Sequence, residues 1–386
     1  MRVLHRRLCA FLAAGALGAA VFVGSPVQAA TSSAPKLDAA TRAKLNQALD
    51  TVFAQVNSPG VLVGVRIGNS TWKAKRGVTD TSTKAPVTLD EHTRIGSVTK
   101  TLTGTLILQL VDQGKLKLDD TIDRWFPELP DAGNITVREL GDMSSGIDSY
   151  TDYTTNQAFV NQYLANPTKA FTPEELVASG TSLPRLFPPG HGFFYSNTNF
   201  VMLGLIIEQV TNKPYPEVLL RRILQPLKLS STSYPDTNRL PVPSWHGYTT
   251  QGSADNQPID ATDWSPTAAA MAGQSQSNLD DLLKWAKDVG RGATLSPKTQ
   301  RARLVGNPAS KSGVREYAFA IGKDNGWLAH DGEIPGFNSQ LAYFPKSDIA
   351  LIVLANSDMS VAGSQATPAP VIFSALAAVL TPANVP

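Results

Sequence analysis

Cysteine is nearly absent: Cys9 is the only one in 386 residues. It lies in an N-terminal stretch expected to be removed, so the mature chain has neither disulfides nor a thiol site. A surplus of one charge is missing as well, since 34 Lys and Arg face 32 Asp and Glu. That balance argues against nucleic acid or an anionic membrane as a partner. Also missing are a Gly-x-Ser-x-Gly elbow, a His-Glu-x-x-His zinc pair and a phosphate-cradling Gly-rich loop, which disfavours three unrelated hydrolase chemistries. The apolar run from Cys9 to Gly24 is shorter than the roughly 20 residues a bilayer span needs.

What is there begins with a leader. Arg2, Arg6 and Arg7, the apolar run, and then Ser25-Pro26-Val27-Gln28-Ala29-Ala30 have the three-part form of a secretory signal peptide. Residues 1–30 are therefore expected to be removed and 31–38 to form a flexible leader. The protein is then secreted into an extracytoplasmic, cell-envelope setting with no membrane anchor. Losing the three arginines leaves 31 basic against 32 acidic side chains.

From Asp38 onward Leu45, Leu49, Val52, Phe53 and Val56 make one apolar stripe, which predicts a helix ended by Asn57-Ser58-Pro59-Gly60. Val61–Ile67 and Trp72–Val78 read as a hairpin. The far end has the same texture, with short β-rich runs at Tyr317–Gly322, Trp327–His330, Ser339–Phe344 and Ile349–Leu354. A last helix is expected over about 369–380. Between the ends helical patterns dominate, at 97–113, 136–143, 198–211, 215–224 and 278–289. The expected fold is α/β (α+β): an antiparallel sheet built from both chain ends and flanked by helices, plus a helical subdomain. Its α/β part spans about 39–95 and 310–386, its helical part about 96–309, with a cleft between them where a site belongs.

Ser-x-x-Lys places a hydroxyl and an amine one helical turn apart on one face. A serine needs a base to become a nucleophile, and a lysine serves as one only where its surroundings disfavour the ammonium. Three copies occur, at Ser33, Ser70 and Ser97. Ser33 has Pro35 inside its motif, and Ser70 sits in the hairpin turn. Ser97 opens the strongest helical pattern, with Leu102, Leu106, Ile107, Leu110 and Val111 as its apolar side. The competing reading of Ser97 is a helix N-cap with a solvated Lys100.

Tyr195-Ser196-Asn197 is the single Tyr-x-Asn and His330-Asp331-Gly332 the single His-x-Gly. The tyrosine can relay protons and the asparagine can orient Lys100 or a substrate carbonyl. The competing readings are a core tyrosine beside a helix cap and a packed histidine.

In order, spacing and surroundings the three motifs resemble the DD-carboxypeptidase/class C β-lactamase family of serine hydrolases. The likeness is longest over Arg94-Ile95-Gly96-Ser97-Val98-Thr99-Lys100, Leu108–Leu116, Ile135–Leu140, Tyr195–Phe200 and His330–Phe337. It implies that Ser97 attacks an acyl carbonyl while Lys100 and Tyr195 move its proton to the leaving group. It further implies that Asn197 contacts the acyl amide and that His330 is a polar or cationic partner of Tyr195. An oxyanion would bind the N–H groups of Ser97 and of Glu333, which follows Gly332. No metal or cofactor is called for. The partner expected is a small-molecule or peptidoglycan-peptide acyl substrate, met by a monomer. The foremost expected activity is that of a D-alanyl-D-alanine carboxypeptidase with possible β-lactam hydrolysis. An esterase of the same fold and a silent penicillin-binding protein are the alternatives.

One departure bears on substrate. Where many relatives have threonine between the basic residue and glycine, this chain has Asp331, whose charge, with Glu333, would repel a substrate carboxylate unless Asp331 turns away. Tyr150, Tyr153, Trp245, Tyr248 and Trp264 are expected either to line the pocket or to be core.

Overall fold

The computed structural model describes residues 35–386; the expected signal peptide and Ser33 lie outside the described residues. Asp38 accepts a hydrogen bond from the Thr41 N–H at 2.8 Å and so starts the helix Ala39–Phe53 (α1), which buries Leu45, Leu49 and Val52. The hairpin follows as Gly60–Ile67 (β1) and Ser70–Gly77 (β2). A single 3₁₀ turn, Gly96–Val98, runs into the helix Thr99–Asp112 (α2). Asn197–Thr211 (α3) and Leu279–Arg291 (α4) are the other long helices of the middle region. Five strands close the sheet: Arg315–Ala318 (β3), Ile321–Asp324 (β4), Trp327–Ile334 (β5), Phe337–Phe344 (β6) and Ile349–Ala355 (β7). The helix Pro368–Leu380 (α5) is the last element.

The seven strands are antiparallel in the order β2-β1-β7-β6-β5-β4-β3, so the two chain ends meet where β1 pairs with β7, Val61 opposite Ala355. Alternation sorts the strands onto two faces. Val61, Val63, Val65, Leu351 and Val353 face outward into a core shared with α1 and α5. Leu62, Ile352 and Leu354 face inward to α4 and the helical region. Gly64 lets α4 approach β1: a Cβ there would lie 2.9 Å from the Leu283 side chain.

Two expectations are corrected. Tyr317–Gly322 is not one strand but the end of β3 and the start of β4, turning at Phe319-Ala320. The turn is held from outside, because Phe319 N–H bonds the Arg303 carbonyl and Ala320 N–H the Gly141 carbonyl, both at 3.0 Å. Three shorter helices fill stretches that the apolar pattern left as loops: Gln157–Ala165, Pro173–Thr181 and Pro297–Arg303. Each opens on a capping side chain, from Asn156, Thr172 and Ser296.

The sheet leaves an opening beside β5. β4 pairs with β5 only as far as Gly322 opposite Ala329, so the segment from His330 to Ile334 has no strand on that side. The Gly96–Val98 turn packs there instead.

Candidate active site

Gly96 is in the left-handed region at φ +50°, which glycine adopts without strain. A Cβ there would also fall 2.7 Å from the backbone nitrogen of Glu333. Opposite it, a Cβ on Gly332 would lie 2.0 Å from the Ile95 carbonyl oxygen and 2.5 Å from Ser339 Oγ. The two glycines therefore let the start of α2 sit against β5. The space beside Gly332 is taken by Ile95 and Ser339.

Ser97 lies inside the 3₁₀ turn and makes no capping bond; α2 has Val98 at its N-cap position, also without one. The Ser97 hydroxyl instead meets Lys100, whose Nζ lies 3.0 Å from Ser97 Oγ. Lys100 is fully buried. Its Nζ also donates to Asn197 Oδ1 at 2.6 Å and to the Ala272 carbonyl at 2.8 Å. A buried amine without acceptors would be costly, and the Asn197 and Ala272 oxygens offset that cost. The Tyr195 ring is a further neighbour, with Nζ 4.8 Å from its centroid.

Asn197 begins α3 and is held at both ends. Its Nδ2 donates to Thr151 Oγ1 at 2.8 Å, and its backbone N–H to Ser149 Oγ at 3.2 Å. Tyr195 stands just before α3 and half-buried, its ring 6.2 Å from His330 and 6.1 Å from Tyr317.

His330 is buried, and burial pushes its pKa down to about 4. Its Nδ1 is 2.6 Å from the Asp331 carbonyl, which can only accept, so Nδ1 carries the proton. Nε2 is then the acceptor, 3.0 Å from the Tyr317 hydroxyl. The cationic alternative for His330 does not hold at neutral pH. His330 is a neutral imidazole tied to Tyr317, and it meets Tyr195 as a ring neighbour.

Ser97, Lys100, Tyr195, Asn197, His330, Gly332 and Glu333 thus converge at the open side of β5. Asp331 does not join them on the same face: alternation along β5 puts it with Trp327 and Ala329, opposite Leu328, His330 and Ile334. Among the aromatics expected at the pocket or in the core, Tyr150, Trp245 and Tyr248 are core. Tyr153 is half-buried and donates its hydroxyl to Gln251 at 2.6 Å, and Trp264 packs on Tyr163. Sequence reasoning missed Ala272, Thr151, Ser149 and Tyr317. A backbone carbonyl has no sequence signal, and the other three are marked only by contacts made through the fold. Among the described residues no group of His, Cys, Asp and Glu is arranged to hold a metal ion.

The β-lactamase family model matches residues 45–371. A D-stereospecific amidohydrolase from Streptomyces sp. is 29% identical, with a TM-score of 0.77 over 88% of this chain and 99% of that one. The D-amino acid amidase of Ochrobactrum anthropi SV3 is 27% identical, also at 0.77, over 89% of this chain and 98% of that one. Protein flp of Staphylococcus aureus strain N315 is 29% identical over 303 residues, 72% of this chain. Only 56% of flp is covered, so the chain spans less than two thirds of that relative's length. Family model, sheet topology and the Ser97–Lys100 helix start agree: the chain belongs to the β-lactamase family, with the serine β-lactamase and penicillin-binding-protein fold.

Proposed function

We propose that the chain is an exported serine amidohydrolase that forms an acyl-enzyme on Ser97, with Lys100 and Tyr195 as its proton carriers. The observation that carries this reading is the set of acceptors around Lys100. A neutral amine has two N–H bonds and one lone pair. The Asn197 and Ala272 oxygens can only accept, so they take the two N–H bonds and leave the lone pair for the Ser97 hydroxyl, 3.0 Å away. Ser97 then gives its proton to Lys100 as it attacks the carbonyl, and the proton passes through Tyr195 to the leaving nitrogen. Water hydrolyses the resulting ester. The N–H groups of Ser97 and Glu333, on segments in contact at Gly96, stabilise the oxyanion.

The substrate class we favour is an amide whose acyl side is a D-residue. Both amidohydrolase neighbours are named for D-configured substrates. A neutral His330 also supplies no positive charge for a leaving group that ends in a carboxylate. The second reading, a D-alanyl-D-alanine carboxypeptidase, is favoured by one observation: Asp331 sits on the opposite face of β5 from His330, which weakens the repulsion expected from sequence.

The test is release of ammonia from a D-amino acid amide and of D-alanine from a D-Ala-D-Ala peptide, by wild type and Ser97→Ala. Amide turnover abolished in Ser97→Ala is the expected result. Turnover of the peptide alone selects the carboxypeptidase. Turnover retained in Ser97→Ala overturns the acyl-enzyme, and binding without turnover of either substrate or an ester makes the chain a silent binder. Export rests on residues 1–30 and is tested by N-terminal sequencing of the protein recovered outside the cell.

A further inference from the structure

We propose that Thr151 and Ser149 are positioning residues for the Ser97–Lys100 pair, acting through the side-chain amide of Asn197. The inference rests on the acyl-enzyme reading above. An amide has two unlike ends: the oxygen only accepts and the nitrogen only donates. In the observed orientation Oδ1 accepts from Lys100 at 2.6 Å and Nδ2 donates to Thr151 Oγ1 at 2.8 Å. A half-turn of the amide would aim Nδ2 at Lys100. It would then oppose an ammonium donor to donor, or take from the neutral amine the lone pair that Ser97 needs. Which way Asn197 points therefore decides whether Lys100 can act as a base.

The far end of the amide is built to hold it. Ser149 is buried, and its Oγ accepts the backbone N–H groups of Asn197 at 3.2 Å and Thr151 at 3.4 Å. With those lone pairs engaged, the Ser149 proton goes to Thr151 Oγ1, 2.9 Å away. Thr151 Oγ1 in turn accepts from Asn197, so one hydroxyl pair holds both the backbone and the side chain of the residue that orients Lys100. Without the Thr151 oxygen, Nδ2 would face a half-buried site with no acceptor, an arrangement that favours turning the amide.

The test is the rate at which a fluorophosphonate labels Ser97, because this probe reports the activated hydroxyl without needing the natural substrate. Wild type is expected to label and Ser97→Ala not to. Thr151→Val, close to isosteric, is expected to label at least tenfold more slowly with an unchanged melting temperature. Thr151→Ser, which restores the acceptor, should return within threefold of wild type. On a hydrolysed amide the Thr151→Val loss should fall in kcat, with KM within threefold. Should Thr151→Val not fold, Ser149→Ala is the second variant, expected to label about threefold to tenfold more slowly. Equal labelling of wild type and the folded variants, with Ser97→Ala silent, overturns the positioning role and leaves the acyl-enzyme standing. Labelling that persists in Ser97→Ala overturns both, since Thr151 then has no nucleophile to serve.

Discussion

On the outer face of the sheet, α1 and α5 close over Val61, Val63, Val65, Leu351 and Val353, and the layer is apolar almost throughout. On the inner face the same strands, β5 above all, meet a fully buried lysine, a neutral histidine, a buried tyrosine and two glycines that admit a foreign backbone. Both faces are largely buried, but the inner one adds a second term. The outer face is held by apolar area removed from water and by close packing. On the inner face the polar groups gain little from burial; they persist because each finds a partner of fixed direction. Chemistry thus lies on the inner side alone, whereas apolar packing supports both faces.

The sharpest way to break this contrast is to remove the buried amine. Lys100→Met is expected to lower kcat/KM about 10³-fold and to cost about 1–3 kcal/mol of stability, because apolar volume is kept while the Asn197 and Ala272 oxygens lose their donor. Activity near wild type would remove Lys100 from the reaction. The mirror experiment is Leu351→Ala on the outer face. A loss of about 2–5 kcal/mol in urea unfolding is expected, with kcat of the folded fraction unchanged. A matching fall in kcat would show that the faces are coupled.

Titration sharpens the comparison further. His330, depressed to about 4, contributes stability that is full above its ordinary value of 6.5 and is lost as pH falls toward 4. Asp358, buried at the end of β7 and raised by that burial to about 6, behaves in the opposite sense. The native state holds its proton more tightly, so its contribution grows as pH falls from 6 toward 3.8. The two oppose each other between about pH 4 and 6. Relative to wild type, His330→Gln should therefore lose less stability on acidification across that window, and Asp358→Asn should lose more. Each difference should be at most about 3 kcal/mol; urea midpoints at pH 4, 5, 6 and 7 measure it. The smallest effect expected is that of Asp331→Asn, under threefold in kcat/KM for an amide and for a D-Ala-D-Ala peptide, because its side chain leaves β5 on the outer side.

The two Ser-x-x-Lys copies within the described residues show how far sequence could go. At Ser97 a three-residue spacing on a helix brings Nζ to 3.0 Å from the hydroxyl. At Ser70 the same spacing lies on β2, where residues three apart point to opposite faces, and Lys73 pairs with Asp280 instead. The apolar stripe behind Ser97 was enough to tell them apart. It was not enough for the helix at Pro173, whose sign was the capping box Thr172-x-x-Glu175 rather than a stripe.

Local order set what was legible: the strand runs at both ends, the main helices, and a serine and lysine one turn apart. These follow from period and short-range sterics, which act within a few residues. The tautomer of His330, the carbonyl of Ala272 on Lys100, the grip of Thr151 on Asn197 and the face taken by Asp331 depended on the fold. The Ala272 and Thr151 contacts are hydrogen bonds between elements far apart in sequence. The tautomer of His330 follows from a contact with the next residue's carbonyl that only the observed backbone and side-chain conformation brings about. Hydrogen-bond direction is decided only when packing has brought donor and acceptor within 3 Å or so of each other.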